Sequence, residues 1–167
     1  MLEIRGGADK IMLVDPRPDL NGKTLADVAG ERELSPAETV RWILRDGNAV
    51  VMNLELYDHD NTRRLAQEPW MMTCTDGRTP RPDQPITHPR TFGAFPKKMR
   101  HFVFEEKLLQ PEFVIRSFSG LAADFYRLPD RGYLREGYAA DIVVIDPDRY
   151  RDKATFENPR QLSEGVV

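Results

Sequence analysis

An α/β fold is predicted from three observations. Short apolar runs occupy residues 10–14, 49–54 and 70–74. Segments with helical spacing and good caps lie between them. Turn residues close each run, ending with Thr75-Asp76-Gly77. The order strand, helix, strand, helix, strand predicts parallel pairing.

Each element follows from its residues. Lys10-Ile11-Met12-Leu13-Val14, stopped by Asp15-Pro16, reads as a buried strand. Asn21-Gly22 marks a turn. Thr24 then caps a short helix, with Asp27 three residues on and Leu25, Val28 and Ala29 facing inward. Ser35, Pro36 and Glu38 supply the N-cap, first helical residue and capping box of the next helix. Its spacing puts Ala37, Val40, Ile43 and Leu44 on one face, and Gly47 suits its C-terminal end. Residues 49–54 form the second strand. Asp58 caps a helix that Pro69 closes, and 70–74 form the third strand. Residues 78–95 carry four prolines without periodicity, which predicts a long loop of the functional kind. A helix is expected over 96–109, with Met99, Phe102, Val103 and Glu106 along one line. Pro111 opens another, carrying Val114, Ile115 and Phe118, and a third covers 121–126. Residues 131–138 are turn-rich, and 141–147 hold one more strand.

Composition narrows the function. Lys and Arg total 24 against 27 Asp and Glu, a net charge of −3. The basic residues are scattered, so general attraction to nucleic acid is not expected. Arg78, Arg81, Arg90, Lys97, Lys98 and Arg100 make a locally basic stretch, which reads as a solvated face or as a place for a small anion. Cys74 is the only cysteine, so no intramolecular disulfide forms. It reads as a buried small residue. No apolar run reaches the roughly 20 residues of a membrane span. The first ten residues hold no apolar signal core. A cytoplasmic protein is expected.

Candidate chemistry sits in three places. Asp76 follows a strand directly and precedes Gly77, at the sheet edge where α/β sites collect. It is suited to general acid–base work or to metal ligation, or it simply forms a turn. His88-Pro89-Arg90 is the second place. Arg90 fits a bidentate pair with a carboxylate, and His88 fits contact with metal or substrate. Glu55, Asp58, His59 and Asp60 form the third, where helix capping by Asp58 is a simpler account than a metal site.

Several of these segments together resemble the N-acyl-D-amino-acid deacylases (D-aminoacylases) of the amidohydrolase superfamily. The matching text is Asn21-Gly22-Lys23-Thr24-Leu25, Thr75-Asp76-Gly77, His88 through Pro96, Glu105-Glu106-Lys107-Leu108-Leu109, and Asp130 through Pro147. The resemblance implies the C-terminal part of a metal-dependent (β/α)8 amidohydrolase barrel, residues 1–128. A strand of the flanking small β domain would follow in 129–167. A complete barrel takes at least about 200 residues, so only its last strands fit here. The resemblance makes Asp76 the catalytic aspartate. It takes a proton from a water activated by zinc or another divalent metal, and returns one to the departing amine. Arg90 becomes the clamp for the substrate α-carboxylate, with His88 beside it in the substrate loop. The substrate class is N-acyl-D-amino acids, with N-acyl-D-glutamate or N-acyl-D-aspartate as candidates.

The sequence departs from the family at the metal. The His-x-His pair of the first barrel strand has no counterpart, and His59, His88 and His101 match none of the family's ligands. Asp76 is the one residue here that such a metal could take, so the chain alone is expected to bind none and to be inactive. Its partners are then a missing N-terminal barrel half or further copies of itself. The alternatives are a non-catalytic, self-associating module and one subunit of a split deacylase.

Overall fold

The structure is a computed structural model that describes residues 6–45, 50–54, 57–77, 79, 87–156 and 158–167. In chain order the elements are β1 (Ile11–Val14), α1 (Leu25–Glu31), α2 (Pro36–Arg45), β2 (Val50–Asn53), α3 (His59–Ala66), α4 (Arg90–Met99), α5 (Pro111–Phe118) and α6 (Gly120–Tyr126). They fall into two compact units, one within residues 1–62 and the other within 63–81 and 87–167.

The first unit is built on β1. Leu13, Leu20, Leu25, Val28 and Ile43 are almost completely buried around it. Thr24 and Asp27 close the capping box of α1 in both directions. Ser35 and Glu38 do the same for α2, with Ser35 N–H donating to Glu38 at 2.9 Å and Glu38 N–H to Ser35 Oγ at 3.3 Å. The buried face of α2 is Thr39 and Ile43, while Ala37 and Leu44 are exposed. Thr39 escapes the cost of burial because its hydroxyl donates to Ser35 O at 3.0 Å. Gly47 and Glu55 lie outside the described residues.

Strand direction differs from the parallel expectation. β1 and β2 pair antiparallel, Ile11 opposite Asn53 and Val14 opposite Val50. The long helical connection allows either direction. On its other flank β1 receives the returning loop, through Leu13 N–H to Lys23 O at 2.8 Å and Gly22 N–H to Leu13 O at 2.9 Å.

The second unit packs Met99, Phe102, Val103, Leu109, Val114 and Tyr150 together, with Phe118 and Ile145 against them. α4 starts at Arg90, six residues before the predicted start, and contains Pro96. Proline has no N–H for the carbonyl four residues back. That carbonyl, of Phe92, instead accepts from Ser163 Oγ at 2.9 Å. A π-helical stretch, Arg100–Glu105, continues α4. Arg100 extends from it to the carbonyls of Pro147, Asp148 and Tyr150 at 2.8–3.2 Å, fastening the turn there.

Two predicted strands have no ladder among the described residues. Residues 71–77 carry no assigned strand, and of 142–145 only Ile145 pairs, with Val166. Apolar content alone cannot make a strand, because its N–H and C=O groups need a neighbour. Asp58 caps α3 as expected, accepting from Asn61 N–H at 2.8 Å.

Asp15 anchors the first unit's loop. Its carboxylate is buried, takes Arg17 Nε at 2.7 Å and Nη2 at 2.8 Å, and also accepts Arg17 N–H at 3.0 Å. These bonds hold the carboxyl below its ordinary 3.8 against the opposing effect of burial. A depressed carboxyl contributes stability above the unfolded value and loses it as pH falls. Asp15→Asn is therefore expected to cost about 2 kcal/mol of unfolding free energy at neutral pH. Urea unfolding should show the gap from wild type narrowing as pH falls below 3.8. A gap that persists to about pH 2 contradicts this account.

Candidate functional site

The second unit brings Asp76, His88 and Arg90 together. Residues 71–77, without helix or strand, reach the start of α4, and Thr73 N–H donates to Ser117 O at 3.0 Å. At Asp76 the backbone turns to a φ of 44°. Among non-glycine residues, aspartate is one of those that tolerate this left-handed conformation best. Gly77 N–H then donates to Thr75 Oγ1 at 3.1 Å. A Cβ on Gly77 would stand 2.6 Å from Thr91 Oγ1 and 3.0 Å from Thr91 Cα. Only glycine lets this turn seat on the first turn of α4.

Arg90 closes the site. Its Nε and Nη2 donate to Asp76 O at 3.1 and 2.8 Å. The same Nη2 lies 2.6 Å from Asp76 Oδ2. The Asp76 side chain is nevertheless 79% exposed and that of Arg90 42%. An ion pair this exposed adds only about 0–1 kcal/mol to stability. The contact therefore matters for geometry and charge more than for folding.

His88 caps α4 from the side. Its Nδ1 accepts Arg90 N–H at 3.1 Å, and its ring meets Phe156 edge-on at 5.3 Å. An accepting Nδ1 places the neutral ring's proton on Nε2. Burial lowers the His88 pKa below 6.5, the Arg90 and Lys97 charges add to this, and Asp76 opposes it.

Thr73, Lys98 and Ser117 form a second group behind this edge. Lys98 Nζ donates to Thr73 Oγ1 at 2.8 Å and Ser117 Oγ at 3.1 Å. Burial lowers its pKa. Cys74, expected to be buried, is exposed. Its neighbour Thr73 is the residue that faces α5, through Ser117 Oγ at 3.1 Å.

Among the described residues, no group of three or more His, Cys, Asp or Glu side chains is placed to hold a metal ion. His101 lies elsewhere, with Nε2 3.2 Å from Glu106 Oε1 in a pair that Arg63 joins at 3.1 Å.

Residues 14–167 match the model of the amidohydrolase family. The chain belongs to that family. It is 35% identical to the N-acyl-D-aspartate deacylase of Alcaligenes xylosoxydans xylosoxydans over 89% of its own length and 28% of the relative's. It is 36% identical to the D-aminoacylase of the same organism, over 90% of this chain and 30% of that one. Among solved structures it is similar to an N-acyl-D-glutamate deacylase from Bordetella bronchiseptica, complexed with zinc and a phosphonate mimic of the tetrahedral intermediate. That match has a TM-score of 0.82 at 29% identity and covers all of this chain and 34% of the other. The amidohydrolase chain thus spans about a third or less of the length of these relatives.

Of the residues that meet here in this amidohydrolase chain, the sequence marks Asp76, His88 and Arg90 as candidates and Lys98 as part of a basic stretch, and it gives no sign of Thr73, Thr91 or Ser117.

The His88 environment gives a signed prediction. By NMR, His88 should titrate below 6.5. Asp76→Asn should lower that value further and Arg90→Gln should raise it. Neutral His88 favours the folded state, so its contribution is complete above the unfolded value and lost as pH falls below it. Shifts of the opposite sign in the two variants would contradict the assigned neighbours.

Proposed function

We propose that this chain is the C-terminal part of an N-acyl-D-amino-acid deacylase, which hydrolyses the amide to a D-amino acid and a carboxylate. The observation that carries the reading is the Asp76–Arg90 juxtaposition at an exposed edge, in a chain whose curated relatives are deacylases. Asp76 takes the proton of the attacking water and returns it to the departing amine nitrogen. Arg90 pairs with the substrate α-carboxylate. No described residue occupies its Nη1, and a carboxylate bound there competes with Asp76 Oδ2 for the guanidinium. His88 offers its Nε2–H to the same ligand. N-acyl-D-glutamate and N-acyl-D-aspartate are the substrates we favour. The same proposal divides the chain into a partial barrel, 1–128, and a small β-domain segment, 129–167, and places the protein in the cytoplasm.

The described residues do not fit a metal by themselves. Among them Asp76 is a single carboxylate at this edge, and Arg90 binds it. In this reading the zinc or other divalent metal of such an enzyme takes further donors from the missing N-terminal part.

A second reading is a self-associating module without catalysis. The exposed apolar strip of Leu134, Ile142, Val143 and Val144 favours it. One subunit of a split deacylase would expose the same strip. A stable monomer on a sizing column counts against self-association.

The purified chain is expected to hold less than stoichiometric zinc and to leave N-acetyl-D-glutamate intact. Joined to the N-terminal part of the D-aminoacylase relative, it should gain turnover. Asp76→Asn in that chimera should cut kcat by about 10²–10⁴. Turnover by the chain alone with stoichiometric metal overturns the incomplete-site reading. A working chimera indifferent to Asp76→Asn overturns the role of Asp76.

A further inference from the structure

The segment 71–77 that carries Asp76 has no assigned helix or strand. Bonds from the helices reach it at several points.

Two of those attachments come from opposite ends of α4. Near its N-terminus, Arg90 makes two hydrogen bonds to Asp76 O and reaches Oδ2. Near its C-terminus, Lys98 donates to Thr73 Oγ1 and Ser117 Oγ. Thr73, earlier in the segment, meets Lys98, later in the helix, while Asp76 meets Arg90, so the segment runs along α4 in the opposite direction. Gly77 on Thr91 lies between these two attachments in the helix sequence and rests on the first turn.

The lysine attachment is well specified. Ser117 Oγ donates to Val114 O at 2.7 Å, so its lone pairs are free for Lys98 and for Thr73, 3.1 Å away. An ammonium donates to both hydroxyls at once, which no apolar side chain can do. Its position is costly, since burial disfavours the charged form. The Phe118 ring, 5.9 Å from Nζ, offsets part of that. No carboxylate bonds Lys98 among the described residues. The charge on α4 is thus held by two hydroxyls and a ring, and one of those hydroxyls belongs to the segment that leads to Asp76.

We infer that Arg90 and Lys98 are positioning residues for Asp76, a two-point clamp by which α4 holds the segment 73–77. This rests on the deacylase reading only for what the position serves.

The test uses the whole 167-residue chain without substrate, so it stands apart from any result on deacylation. Amide hydrogen exchange is read at Thr73 and Gly77, whose N–H groups are both bonded here. Lys98→Met keeps the volume and removes the charge. It should raise exchange at Thr73 about tenfold or more while the thermal midpoint stays level or rises. Arg90→Lys keeps the charge and removes the fork. It should raise exchange at Gly77 and leave Thr73 protected. Exchange unchanged at both amides in both variants overturns the inference. So does a loss of protection spread over the chain with a lowered midpoint, since that marks a merely structural lysine.

Discussion

The candidate site depends on one contact: the Arg90 guanidinium folded back onto the carbonyl of Asp76. A carboxylate on an exposed turn samples many positions. Here the backbone that carries it is held in a left-handed conformation by two hydrogen bonds from a planar donor. Because Nη2 also touches Oδ2, the same guanidinium partly neutralises the group it positions. The rest of the second unit serves this contact. His88 fixes the first N–H of α4, the Gly77 turn leaves room for Thr91, and Lys98 secures the approach of the chain.

Asp15–Arg17 shows the same chemistry put to another use. There the carboxylate is buried and takes three bonds from one arginine, so the pair supports the loop between β1 and α1. At Asp76 the carboxylate is mostly exposed. Burial separates the two: one pair adds stability, whereas the other leaves its carboxylate accessible to a ligand.

Local signals in the sequence were reliable where the interaction is local. Thr24 with Asp27, Ser35 with Glu38, Asp58 and Pro111 all mark helix starts that the structure contains. Asp76, His88 and Arg90 were legible as a group through their resemblance to a family. What failed depends on distant partners. Among the described residues, the direction of β2, the lack of a ladder at 71–77 and the single bridge of 142–145 are decided by which backbone lies alongside. The start of α4 was hidden by Pro96, whose missing donor is made good by Ser163, 67 residues on by the sequence numbering. Lys98 reads in the sequence as one charge of a basic stretch, because its partners Thr73 and Ser117 lie 25 and 19 residues away.

The central claim is that Arg90 grips the backbone of Asp76 and not merely its charge. The most direct measurement is the Arg90 Nε–H resonance in the ¹⁵N-labelled chain carrying Asp76→Asn. The carbonyl survives that substitution and the carboxylate does not. A resonance that remains sharp and slow to exchange is the predicted result. Its disappearance into fast exchange would show that the carboxylate alone held the arginine, and would contradict the account.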